Sequence, residues 1–169
     1  MSYLGLPSCS FPKSLLHFKD DNTNTKLSAI LATATSGLTT SCLTFVSFVD
    51  VRSFLSHVHN SKTSLIQNHF ATWWPHGRDL MLPMLFSSVL SNLVAYRMTS
   101  DGKFAIGAAL LGCIGPYTGV VLKEDIELLR SESCEEVKET TKGFCRLHHF
   151  RFVVAGVGFG LSLVGLAEL

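Results

Sequence analysis

Four long stretches of this chain contain no Asp, Glu, Lys or Arg: residues 27–49, 80–96, 104–122 and 152–167, of 23, 17, 19 and 16 residues. All 27 formal charges therefore fall in the other 94 residues. A charge at the centre of a bilayer costs about 3 kcal/mol or more, and about 20 mainly apolar residues cross the ~30 Å hydrocarbon core as a helix. This pattern predicts an all-α membrane four-helix bundle, multi-pass, with spans near 27–49, 80–96, 104–122 and 144–167. The last span is extended backwards because 152–167 is too short to cross alone. Residues 1–26 read as a polar N-terminal tail, and 27–169 as one four-span membrane domain. The tail has only Leu15 and Leu16 as an apolar kernel before a polar run, so the first span is expected to serve as an uncleaved anchor.

The same distribution excludes several classes of function. A net charge of +1 offers no basic face for nucleic acid. The loops are too short for a separate soluble domain, so any site must lie in the bundle or against it. Five cysteines without a Cys-x-x-Cys pair remove the usual marker of a thiol–disulfide oxidoreductase; a Cys134–Cys145 bridge stays open. There is no Gly-rich nucleotide loop and no haem or iron-ligand spacing, so no cofactor is expected. Membrane lipids are the expected partners, and homo-oligomerisation stays open. Lys and Arg are spread almost evenly between the two sides of such a bundle, which leaves orientation and compartment unassigned.

Within the spans, small residues recur at helical spacing at Ala29, Thr33, Gly37 and Ser41, a stripe suited to close helix packing. Ser87, Ser88, Ser91 and Asn92 in the second span can bond across helices. Residues 97–103 form a tight turn, so spans two and three are an antiparallel hairpin. Trp73 and Trp74, followed by Pro75, read as an interfacial anchor before the second span, with Pro83 in its first turn. Pro116 in mid-span predicts a kink in the third helix. His57, His59, His69 and His76 occupy the first connection, but no Cys or regular carboxylate spacing completes a metal set, and no metal site is expected. The third connection reads as an amphipathic, water-facing helix.

The last span is the most informative. On a helix, Phe144, His148 and Arg151 share a face that continues through Ala155, Gly158 and Ser162. Small and polar residues there predict that this face looks into the bundle. Ionisable residues at membrane depth mark function by default, although long basic side chains near a helix end also snorkel to water. Gly156 and Gly160 form a Gly-x-x-x-Gly pair beside that face, a close-packing motif.

The order of several weak motifs resembles the four-helix integral membrane family that contains the fungal anthrone oxygenases, most of whose members are uncharacterised. The resemblance spans about residues 27–166. It is carried by Ser36-Gly37 and Phe45-Val46-Ser47-Phe48-Val49, by Gly77 and Pro83, by Pro116-Tyr117-Thr118, and by a late aromatic-x3-polar-x2-Arg run. The family pattern has Trp-x3-Asn-x2-Arg there, where this chain has Phe144, His148 and Arg151. Its Pro-x-Asn element falls on Glu124 and Ile126. The resemblance implies oxidation of a small, flat, apolar polyphenol by molecular oxygen, without metal or flavin. Such chemistry needs a base, a cation to steady the substrate anion, and a dry site. His148 is the candidate base and Arg151 the candidate cation, with Tyr117, Thr118, Trp73 and Trp74 as candidate substrate-binding residues. The alternative is a non-catalytic membrane bundle that binds a lipid, a sterol or another membrane protein.

Overall fold

The computed structural model describes residues 21–60, 63–130 and 136–169, all of them helix or short turn, with no strand among the described residues. Helix α1 (Asp21–Phe45) passes through a π-helical segment (Val46–Asp50) directly into α2 (Val51–His59). Then follow α3 (Thr63–Thr99), α4 (Gly102–Val120), α5 (Lys123–Arg130) and α6 (Val137–Ala167). Four helices are long and apolar enough to cross a membrane: Asn22–His59, Thr63–Thr99, Gly102–Val120 and Val137–Ala167. Large apolar side chains along them, such as Leu38, Phe86, Ile106 and Val153, are more than half exposed. A surface of this kind suits lipid rather than water, and the chain is a helical bundle with the character of a membrane protein.

The four long helices pack in a ring, α1 on α3, α3 on α4, α4 on α6 and α6 on α1. Hydrogen-bond register makes every neighbour antiparallel. Thr35 meets Ser91 while Thr39 meets Ser88, and Thr33 reaches the Ser162 carbonyl while Thr40 reaches that of Ala155. In hydrocarbon there is no hydrophobic drive between helices, so polar contacts and close packing hold them together, each bond contributing about 0.6 kcal/mol. Asn92 is the centre of this network. Its Nδ2 donates to Ser36 Oγ on α1 at 2.8 Å, and its Oδ1 accepts from Ser162 Oγ on α6 at 2.7 Å. Of the polar quartet expected in the second span, Ser88, Ser91 and Asn92 make these cross-helix bonds.

Close packing is set by glycines other than the expected pair. Gly156 and Gly160 have open space where a Cβ would stand. The tight contact is Gly107 against Gly158, where a Cβ on Gly107 would lie 3.3 Å from the Gly158 carbonyl and 3.1 Å from Asn92 Oδ1. The stripe on α1 is also narrower than expected: Ala29 and Thr33 are buried, Gly37 abuts Phe159, and Ser41 is exposed.

The helices overrun the charge-free stretches. Helix α1 begins at Asp21, inside the stretch read as tail, and α3 starts at Thr63, so Trp73, Trp74, Pro75 and Pro83 lie within it. Proline removes one N–H and strains the preceding turn, but the helix continues through both positions. At 37 residues and 1.5 Å per residue, α3 is about 55 Å long, well beyond the ~30 Å hydrocarbon core. The surplus length at its start helps to build a cap at one end of the bundle. There Phe54, Phe70, Trp74, Leu129 and Phe144 form an apolar core with α2, α5 and the start of α6. Helix α5 buries Ile126 and Leu129 and exposes its charges, as its amphipathic pattern predicts.

The π-helical segment keeps one face of the first long helix turned inward. Buried positions follow the spacing Ala29, Ser36, Leu43, Val51, Val58, seven residues apart except for eight between Leu43 and Val51. The Val51 N–H bonds to the Val46 carbonyl, an i to i−5 pairing that absorbs the extra residue.

The α3–α4 hairpin turns through Ser100 at φ 57° and starts α4 with Asp101, whose Oδ1 accepts from the Lys103 N–H at 2.9 Å. Lys103 also pairs with Glu168 at the end of α6. That backbone hydrogen bond, helped by Lys103, holds the Asp101 carboxyl below the usual carboxylate range. A carboxyl depressed in the folded state stabilises it above the unfolded value and loses that contribution as pH falls. Asp101→Ala should therefore cost about 1 kcal/mol at neutral pH, with the difference from wild type closing below about pH 4, as read by thermal unfolding in detergent. Gly107→Val should destabilise the bundle by about 1–3 kcal/mol through forced separation of α4 and α6, whereas Gly156→Ala should be neutral or gain about 0.5–1 kcal/mol.

Candidate functional site

The face predicted on the last span is the inner face of α6. Phe144, His148, Arg151, Ala155, Gly158 and Ser162 are all buried. His148 has no exposed surface and Arg151 only 7%, so neither side chain snorkels to water.

Three residues lock together where α4 meets α6. Arg151 Nη2 lies 2.8 Å from His148 Nδ1, and Nη1 donates to Thr118 Oγ1 at 3.2 Å. Thr118 in turn donates to the Ile114 carbonyl at 2.7 Å. A guanidinium is always a donor, so His148 Nδ1 is the acceptor of this bond. The imidazole is then neutral with its proton on Nε2. The Leu43 backbone lies near the imidazole but outside hydrogen-bond geometry, and Nε2 has no partner. The one basic nitrogen of His148 is thus occupied by Arg151.

Arg151 itself is incompletely satisfied. Two of its N–H groups are bonded, Nε has no partner, and no carboxylate among the described residues lies within ion-pair distance of it. A buried cation without a counter-charge or full hydrogen bonding costs several kcal/mol.

Arg151 lines a cavity of about 340 Å³ at the junction of the apolar bundle and the cap. Leu43, Leu85 and Ile114 form its apolar side, Trp73 and Trp74 an aromatic side, and Thr118 joins Arg151 as a polar anchor. Lys123, Glu127 and Arg130 of α5, with Arg78 of α3, form a charged rim. Trp74 is held rigidly, stacked on Phe70 at 5.6 Å and edge-on to Phe144 at 6.0 Å. Both tryptophans lie within α3 and are cavity walls.

The structure therefore brings together Arg151, Thr118, Trp73 and Trp74 from the sequence-predicted set. His148 stands behind Arg151 and does not line the cavity. Tyr117 points elsewhere: its hydroxyl donates to the Leu147 carbonyl at 3.3 Å and its ring packs on Phe150, tying α4 to α6. Sequence reasoning missed the α5 rim, because Lys123 and Arg130 read as a solvated face. It also missed Gly77, a cavity residue noted only as a motif match. Cys145 is buried in the cap, and Cys134 lies outside the described residues. Among the described residues no cluster of His, Cys, Asp or Glu could hold a metal.

Searches of the chain against protein-family profiles, curated proteins and solved structures find no match.

Thr118→Val keeps the volume but removes the acceptor of Arg151 Nη1. It should cost about 1–3 kcal/mol, seen as a lower melting temperature in detergent, whereas Thr118→Ser should be near wild type.

Proposed function

We propose that this chain is a multi-pass, four-span membrane protein whose cavity binds a small, flat, apolar molecule through an oxygen held by Arg151. The observation that carries this reading is the buried Arg151 guanidinium, which lines a largely apolar cavity with a donor to spare and, among the described residues, no carboxylate within ion-pair distance. A ligand oxygen, neutral or ionised, completes its hydrogen bonding, and charge-assisted bonds of this kind are the strong ones. Trp74, fixed by Phe70 and Phe144, supplies a flat wall for an aromatic ring. Lipid-facing Leu, Phe and Val side chains make membrane lipids the surrounding partner.

A second reading, implied by the resemblance to the anthrone oxygenase family, is cofactor-free oxidation of a polyphenol by molecular oxygen. The contact between Arg151 and His148 favours it. If Arg151 swings onto the ligand oxygen, it frees His148 Nδ1 behind it to take the ligand's proton through the space that Arg151 vacates, and the resulting anion is electron-rich enough to react with oxygen.

Both tryptophans of the chain line the cavity, so quenching of intrinsic fluorescence reports binding. Titration with 1,8-dihydroxyanthrone in detergent should give saturable quenching, and Arg151→Gln should weaken it about tenfold or more, the loss of one charge-assisted bond. Wild-type affinity in a folded Arg151→Gln protein would overturn the binding reading. Oxygen uptake lost in His148→Gln with binding retained would support the catalytic reading; binding without oxygen uptake in the wild type would reject it.

A further inference from the structure

A second, larger cavity of about 670 Å³ opens between α1 and α3. Leu38, Phe45 and Leu80 at its edge are each more than half exposed, so it faces the apolar surroundings of the bundle. It differs from a plain packing defect in carrying Asp50, His69 and His76, groups that accept or donate hydrogen bonds. Asp50 is brought there by the π-helical segment and lies beside Trp73 and His69. The two cavities share Val46, Trp73, Gly77 and Met81 as a common wall. That wall is thin where Gly77 stands: a Cβ there would meet only the Trp73 ring, at 3.8 Å. The half-buried Trp73 indole is the bulk of the partition.

We infer that the cavity between α1 and α3 is a bilayer-side vestibule, through which a hydroxyl-bearing apolar ring molecule reaches the Arg151 cavity over Gly77 and Trp73. The inference rests on the proposed ligand-binding role of the Arg151 cavity. An apolar molecule concentrates in the bilayer and approaches from its side. On its opposite side the Arg151 cavity is lined by Arg78, Lys123, Glu127 and Arg130, exposed charges that oppose the passage of an apolar body. In the vestibule Asp50, His69 and His76 satisfy the hydroxyls that lipid cannot, making it a second, weaker site for the same ligand class.

Ser41 and Thr72 line the vestibule alone and are exposed, so Ser41→Phe and Thr72→Phe each narrow it without touching the Arg151 cavity. Stopped-flow quenching with 1,8-dihydroxyanthrone in lipid nanodiscs should show association and dissociation both slowed about tenfold while the equilibrium constant is unchanged, since a narrowed path alters both rates equally. Either variant that keeps the wild-type melting temperature serves as the test. Wild-type rates in a folded variant, with Arg151-dependent binding intact, would overturn the vestibule and leave the Arg151 site standing. Absence of any quenching in the wild-type protein would overturn both.

Discussion

The bundle depends on Asn92. In an apolar medium helices gain nothing by hiding hydrophobic surface from one another, and a side chain that bonds two partners at once fixes their rotation and height. Asn92 does this from α3, giving Nδ2 to Ser36 and taking Ser162 through Oδ1. The register set there allows Gly107 to meet Gly158 backbone to backbone, and it carries down α6 to set where Arg151 falls against Thr118. Hydroxyls at Thr33, Thr35, Thr39, Thr40, Ser88 and Ser91 repeat the principle between α1 and its two neighbours, α3 and α6.

The same physical logic makes Arg151 exceptional. The Asn92 amide is satisfied at both ends, Nδ2 donating to Ser36 and the Ser88 carbonyl and Oδ1 accepting from Ser162, as expected of a group that only holds helices together. The Arg151 group is open: His148 and Thr118 accept from its two Nη atoms, and the Nε donor finds no acceptor. Buried polar groups are nearly always satisfied, and this exception stands beside a cavity with aromatic walls, which is what the binding proposal rests on. The Arg151 bond to Nδ1 also decides the tautomer of His148, so any proton transfer by that imidazole waits on a movement of Arg151.

The α6 face was legible because 3.6-residue periodicity places Phe144, His148, Arg151, Ala155, Gly158 and Ser162 in line whatever they pack against. The number and position of the apolar helices were legible from the charge gaps alone. Their ends were not. Pro75 and Pro83 read as helix starts because proline is cheapest there, yet α3 runs unbroken through both. Gly156 and Gly160 read as a packing motif because spacing shows which residues share a face and not what stands opposite. The cavity was half legible: Arg151, Thr118 and the tryptophans stood out by residue type. Their meeting with Lys123 and Arg130 depends on how α5 folds back over the bundle end, which local pattern does not encode.

The π-helical segment between α1 and α2 acts as a phase corrector. Each residue of an α-helix turns the chain by about 100°, so one residue too many would swing everything after it out of the core. Widening a single turn at Val46–Asp50 takes up that rotation locally, and the cap beyond it stays in register with the membrane half. The extra residue sits beside both cavities, since Val46 lines each of them. A one-residue surplus in chain length is thereby turned into shape: the widened turn that keeps Phe54 and Val58 in the cap also lends Val46 to the wall that the two cavities share.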